Sequence, residues 1–168
     1  MIVREPEQKL AQAPAGVHAA VCVDEIDMGL VPNRFDPEAP PVPTVRLLWQ
    51  IGEDDLKTGL PFLVKKDYRA SLHEKAALRA DLEAWRGRAF TFDELVGFDL
   101  ENIIGVPCLL NLVEKTGSKG GKFTNIKSIM PLPKHMTKLE PRGYTRKKDR
   151  INEAPAAPAH DEDDVPFN

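Results

Sequence analysis

The chain has 168 residues, of which 42% are hydrophobic and 29% charged, a composition typical of one globular domain with some additional polar sequence. No stretch reaches the roughly 20 consecutive apolar residues of a membrane span, and the first residues, MIVREPEQKL, lack the apolar centre of a secretory signal. We therefore expect a cytoplasmic protein with no membrane partner.

The charges are unevenly distributed along the chain. The formal net charge is −3, yet residues 151–168 contain five carboxylates and neither Lys nor Arg. From Lys119 to Arg150 there are ten basic residues against only Glu140 and Asp149. A basic flank beside an acidic end predicts a polyanion-binding protein whose acidic end competes for the basic surface.

The first half of the chain is predicted to contain three strands. Residues 1–15 are polar and contain Pro and Ala, which predicts a flexible N-terminal arm. The apolar, β-branched run at 17–28 predicts a first strand, and the Pro-rich run at 29–43 predicts a long surface loop. Apolar and polar residues alternate over 44–51, the predicted second strand, and 61–68 is the predicted third.

Two capping patterns predict helices after these strands. Ser71 and Glu74 fit an S-x-x-E capping box, and apolar residues at helical spacing continue until Gly87, which predicts the main helix. Thr91 and Glu94 repeat the pattern at the start of a short second helix.

Two further strands are predicted at 107–113 and 123–130, separated by the glycine-rich hairpin loop TGSKGG. The region 134–160 is basic at first and then rich in Pro and Ala, which is typical of a linker. Since it lacks the apolar content of a core, we expect disorder from about residue 140 onward.

The sequence favours a protein without catalytic activity, cofactor or metal. Cys22 and Cys108 each lie in an apolar strand with no CxxC pair or suitably spaced His, which predicts buried, reduced thiols. Trp49 and Trp85 fall on apolar faces and are predicted to be in the core. The four histidines are scattered, and the acids of DEDD are consecutive, so neither set predicts a catalytic constellation.

Three strands, a helix and two more strands is the element order of the OB-fold, a five-stranded Greek-key barrel that binds oligonucleotides or oligosaccharides. We therefore expect an all-β OB-fold domain with one main helix over residues 16–133, followed by a disordered acidic tail. Because small barrels have many functions, three alternatives remain open at this point: binding of single-stranded DNA, binding of RNA, and a protein-interaction adaptor.

The last eight residues, DEDDVPFN, resemble the acidic tip of bacterial single-stranded DNA-binding proteins. The resemblance implies docking on replication, recombination or repair enzymes, with Phe167 and Pro166 as apolar anchors and the acids as steering charges. Asn168 departs from that family, in which the Phe usually ends the chain. The implied docking residues are Asp161, Glu162, Asp163, Asp164, Val165, Pro166 and Phe167.

A second resemblance covers roughly residues 16–133. The block PFLVKKDYRASLHEKAALRADLEAWRGRAFTFDELVGFDL, with FTNIKSIMPLP after it, is similar to phage-encoded single-stranded DNA-binding proteins. It implies a non-enzymatic protein that coats and protects single-stranded DNA during replication, recombination or repair in a bacterial host. Whether the protein forms a homo-oligomer is left open.

Binding of a single strand requires cations for the phosphates and exposed rings on which bases stack. The outward-facing basic and aromatic residues of the predicted strands and loops meet this requirement. The two lysines of the third strand could also be ordinary solvated residues, and each aromatic could instead cover the core. The predicted DNA-binding residues are Arg34, Phe35, Arg46, Lys65, Lys66, Tyr68, Arg69, Lys119, Lys122, Phe123 and Lys127.

Overall fold

A computed structural model describes the backbone of residues 12–153 and the side chains of residues 12–150. Five antiparallel strands form one sheet in the order β3-β2-β1-β4-β5. The prediction of a mostly β domain with five strands is confirmed. The strands are β1 (Gly16–Val31), β2 (Val42–Asp55), β3 (Leu60–Arg69), β4 (Pro107–Thr116) and β5 (Lys122–Met130).

The sheet curves but does not close through hydrogen bonds. Register shifts between Cys22 and Asp24 and between Asp27 and Gly29 interrupt the pairing of β1 with β2, and such bulges bend a strand. The two edge strands, β3 and β5, come into contact, although no ladder joins them among the residues described.

The main helix, α1 (Ala77–Arg86), covers the core side of the sheet with Leu78, Leu82 and Trp85. It ends at Gly87, whose φ of 74° is the left-handed conformation expected of a glycine C-cap, so the predicted stop is confirmed.

The predicted start of this helix at Ser71 is wrong. The Ser71 hydroxyl accepts a hydrogen bond from the backbone N–H of His73, only two residues away, and the helix begins after Ala76, which offers no side-chain cap. Serine readily forms such local turns, which compete with helix initiation.

The second capping pattern is confirmed. The Thr91 hydroxyl accepts from the N–H of Glu94, and the Glu94 carboxylate accepts from the N–H of Thr91, at the start of α2 (Phe92–Val96). A short 3₁₀ helix at Leu100–Ile103 then leads into β4.

The core contains the residues that the apolar patterns place there. The rings of Trp49 and Trp85 lie 6.0 Å apart, and Trp85 Nε1 donates a hydrogen bond to the Pro107 carbonyl at 2.9 Å. Cys22 and Cys108 are fully buried free thiols, as predicted. Burial raises the pKa of Cys22 to about 12, so its thiol is protonated at neutral pH.

The folded region extends beyond the predicted domain at both ends. Before β1, Ala13 is buried and its carbonyl accepts a hydrogen bond from the Thr124 hydroxyl, so the prediction of flexibility up to residue 15 is wrong for residues 12–14. After β5, the chain continues across the sheet into α3 (Lys147–Glu153).

Residues 139–147, which we call the strap, pack against the sheet, so the prediction of disorder from residue 140 is wrong for this segment. The Gln50 amide donates to the Arg142 carbonyl at 2.6 Å, and its oxygen accepts from the Arg142 N–H at 2.8 Å. Gly143 has a φ of 66°, a left-handed conformation that favours glycine. Polar contacts therefore hold a segment that has no apolar periodicity.

Candidate nucleic-acid interface

The two faces of β2 and β3 differ in chemistry. Val45, Leu47, Trp49 and Ile51 of β2 lie in the core. Because side chains alternate along a strand, the intervening residues lie on the opposite face, which we call the outer face. It presents Arg46 from β2 and, from β3, Lys65, Asp67 and Arg69.

One carboxylate on the outer face, Asp67, is paired with Arg46 and lies within the electrostatic influence of two further cations. Arg46 makes two parallel hydrogen bonds to Asp67, with Nε to Oδ1 at 2.6 Å and Nη2 to Oδ2 at 2.9 Å. These bonds lower the pKa of Asp67, and the positive charges of Lys65 and Arg34 lower it further. Arg34, Arg46, Lys65 and Asp67, which we call the outer-face cluster, therefore carry a net charge of about +2 at neutral pH.

The cluster brings together three elements that are separate in sequence. Arg34 comes from the loop between β1 and β2, Arg46 from β2 and Lys65 from β3. Arg69 is exposed at the end of β3, in register with Thr44. Three of the predicted DNA-binding residues, Arg34, Arg46 and Lys65, therefore come from three different elements.

A fully exposed aromatic ring adjoins this cluster in sequence. The side chain of Phe35 is 96% exposed. The side-chain oxygen of Asn33 accepts hydrogen bonds from the N–H groups of Phe35 at 2.9 Å and Asp36 at 3.3 Å, an arrangement that shapes the loop locally. A ring held outside the core in this way is available for stacking.

Two predicted binding residues point away from the outer face. Tyr68 is 3% exposed, and its hydroxyl donates a hydrogen bond to Asp81 of α1 at 2.6 Å. Lys66 donates to the same carboxylate oxygen at 2.8 Å. Burial, together with the bond to Asp81, raises the pKa of Tyr68. The prediction that Tyr68 is an exposed stacking surface is therefore wrong, and Lys66 is an ion-pairing residue that links β3 to α1.

The remaining predicted residues lie at the β4–β5 hairpin and along β5. Lys119 and Lys127 are exposed, and Phe123 is 40% exposed beside Gly117. Lys122 lies 3.4 Å from Glu114, an exposed pair that contributes little to stability. No described hydrogen bond or ion pair joins this group to the outer-face cluster.

The two arginines of the strap are structural. The Arg142 guanidinium lies 2.7 Å from Asp54 and also donates to the Gly59 carbonyl at 3.1 Å. Arg146 binds both oxygens of Glu101, at 2.7 and 2.8 Å, and donates to Asp24 at 3.2 Å. Both lie in the region predicted to be a linker, but carboxylates of the sheet and of the 3₁₀ helix bind them.

Asp24 was not predicted to anchor the strap, although its position in an apolar strand could have indicated such a role. Asp24 lies within an apolar strand and is only 1% exposed. A carboxylate in such a place needs charged or hydrogen-bonding partners, because burying it alone is costly. Asp67 was missed as well, and its register opposite Arg46 becomes visible only once the β2–β3 hairpin is aligned.

Within residues 12–153, no group of three or more His, Cys, Asp or Glu side chains is arranged to hold a metal ion. Over the same range, no helix is both long and apolar enough to cross a membrane. The predicted protein-docking residues Asp161 to Phe167 lie outside the described residues.

Comparison with known proteins assigns no family to this chain. No protein-family model matches the sequence, and no curated protein matches it. The geometry of the outer face and the loops beside it is therefore the basis for a functional proposal.

Proposed function

We propose that this protein binds single-stranded DNA on the outer face of β2 and β3. The observation that carries the proposal is the outer-face cluster, in which Arg46 pairs with Asp67 and the charges of Lys65 and Arg34 act on the same carboxylate, next in sequence to the exposed ring of Phe35. Cations that track a phosphate backbone and rings that accept stacked bases are the two requirements of sequence-independent single-strand binding.

The positions of these residues and of Lys119 in the element order support the same proposal. In an OB-fold, oligonucleotides bind on the face of strands 2 and 3 and on the loops between strands 1 and 2 and between strands 4 and 5. Here Arg34 and Phe35 are in the first of these loops, Lys119 is in the second, and Lys65 is on β3. We propose that the curved sheet, whose edge strands β3 and β5 are in contact, is a partly open barrel of this type.

In this proposal the protein is not an enzyme. It coats and protects single-stranded DNA during replication, recombination or repair, and residues 161–168 recruit the enzymes of those processes. The tip combines four consecutive acids with Val, Pro and Phe, a composition suited to an apolar pocket with a basic rim on a partner.

The test is a salt titration of binding to fluorescent oligonucleotides, with single-stranded DNA, duplex DNA and RNA compared in the same buffer. We expect single-stranded DNA to bind at low salt and to weaken as salt rises, with a slope of about −0.7 per neutralised phosphate. Duplex DNA should bind more weakly, because its stacked bases are not available to Phe35.

Each other outcome favours a different function. Equal or tighter binding of RNA would identify an RNA-binding protein, because the 2′-hydroxyl would then be tolerated or recognised. A folded sample that binds no oligonucleotide even at low salt would overturn the proposal and leave the adaptor function.

A further inference from the structure

A large apolar groove lies apart from the outer-face cluster. It has a volume of about 600 Å³ and is formed by α1, the 3₁₀ helix and the residues that follow β5. None of the cluster residues lines it. Its apolar lining includes Trp85, Phe90, Phe98, Ile103, Leu132 and Met136.

The charged residues of this groove are all cations. Arg86, Lys134 and Lys138 line it, and no carboxylate does. Arg86 pairs with Glu94 at 2.6 Å, but its Nη1 is buried and has no hydrogen-bond partner. Lys134 and Lys138 form no ion pair with any residue that the structure describes. The groove therefore fits a ligand that is both apolar and anionic.

The C-terminal residues of the same chain have this chemistry. Four consecutive acids, Asp161 to Asp164, are followed directly by Val165, Pro166 and Phe167. An aromatic ring and a proline bury apolar area at little cost in conformational entropy, whereas carboxylates beside unpaired lysines gain favourable electrostatic energy.

The segment that leads into α3 lies beside the groove. Lys148 and Arg146, at the start of α3, lie 3.5 and 2.7 Å from Glu101, whose neighbours Asn102 and Ile103 line the groove. The 15 residues of 154–168 can extend to about 50 Å. A domain of this size has a radius of gyration of about 14 Å, so the groove is within reach of the tip.

We propose that residues 161–167 dock in this groove of their own chain, with Phe167 and Pro166 on the apolar floor and the carboxylates at Lys134 and Lys138. The acidic tip then occupies a site separate from the outer face, in contrast to the competition with DNA that charge segregation alone suggests. A partner that captures the tip must displace it from the groove. This inference does not depend on DNA binding.

The test is paramagnetic relaxation in the full-length protein. Asn168→Cys provides a single reactive site for a nitroxide label, since Cys22 and Cys108 are fully buried. We expect the amide signals of Phe98, Ile103 and Met136 to lose most of their intensity, while those of Arg46 and Lys65 keep theirs. No nucleic acid is present, so the result is independent of the proposed function.

Two variants and one mixture make the test specific. Phe167→Ala, or Lys134→Glu combined with Lys138→Glu, should restore the groove signals, whereas the exposed control Lys75→Glu should not. Broadening at Arg46 and Lys65 instead, or no broadening at all, would overturn the proposal. Broadening of isotope-labelled chains by spin labels on separately prepared chains in a mixture would also overturn the proposal, because the tip would then occupy the groove of a second copy.

Discussion

The carboxylate of Asp24, in the middle of β1, accepts a hydrogen bond from the hydroxyl of Tyr144 at 2.7 Å, across 120 residues of sequence. The same carboxylate accepts from the backbone N–H of Lys147 at 2.9 Å and from Arg146 Nε at 3.2 Å. Burial and the bond to Asp24 raise the pKa of Tyr144 to about 12. The strap and the sheet therefore share one buried charge, and we expect them to unfold together.

Asp24→Asn tests this coupling. The amide keeps an acceptor for one donor but loses the charge that pairs with Arg146, and breaking a buried ion pair costs about 3 kcal/mol. Urea unfolding should show a loss of this size, whereas Asp27→Asn, on the exposed part of the same strand, should change stability by less than about 0.5 kcal/mol. Equal effects of the two substitutions would show that the strap does not depend on Asp24.

Acidification should weaken the strap through Glu101. The hydrogen bond from Arg146 lowers the pKa of Glu101 from 4.5 to about 2. A carboxyl group whose pKa is lower in the folded protein adds stability that is complete above its unfolded pKa and is lost as the pH falls toward its folded pKa.

The difference in melting temperature between the native protein and Glu101→Gln should therefore be largest above a pH of about 4.5 and shrink as the pH approaches about 2. The low pKa of Glu94 is common to both proteins and cancels in the difference. Glu38→Gln, at an exposed residue, is the control and should show no such trend. A difference that grows on acidification would contradict the assignment.

Tyr68→Phe separates a structural role from a DNA-binding role. The substitution removes the 2.6 Å hydrogen bond to Asp81 but keeps the ring, so we expect a loss of about 1–2 kcal/mol in the free energy of unfolding. Oligonucleotide affinity should not change, because the ring is buried. Weaker binding at unchanged stability would show that the Tyr68 hydroxyl faces the DNA after all.

The strands and the core were predictable because they depend on local periodicity. The alternation of side chains along β3 could also have corrected the predictions for Lys66 and Tyr68. Both residues share a face with the buried Val64, whereas Lys65 lies on the opposite face. The capping patterns at Ser71 and Thr91 look alike in sequence, but only Thr91 caps a helix. A four-residue motif does not contain the tertiary contacts that decide where a helix begins.

The strap could not be predicted from local sequence. Its contacts join residues about 90 to 120 positions apart, such as Gln50 with Arg142 and Asp24 with Tyr144. The strap also lies in a region rich in Lys, Arg and Pro, a composition that is typical of a linker. The predicted cationic surface agrees better with the structure, because alternation alone places Arg46 and Lys65 on the outer face.

Asp67→Asn should tighten binding to single-stranded DNA. The change removes the only carboxylate of the outer-face cluster and frees Arg46 for a phosphate, so the salt slope should steepen by about 0.7. The ion pair is partly exposed, with 43% of the Asp67 side chain accessible, so stability should fall by less than about 1 kcal/mol. Weaker binding with an intact fold would indicate that Asp67 positions Arg46 rather than neutralising it.

The most direct test of the proposed interface is the affinity of Arg34→Glu combined with Lys65→Glu for an oligo-dT strand at low salt. The control Lys75→Glu also reverses the charge of an exposed lysine, but at a residue outside the cluster. It is measured both alone and in combination with the double variant, which gives the effect of net charge. We expect the double variant to lose most of its affinity at an unchanged melting temperature, while Lys75→Glu alone binds nearly as the native protein does. Equal affinities for the native protein and the double variant would contradict the assignment of DNA binding to the outer face.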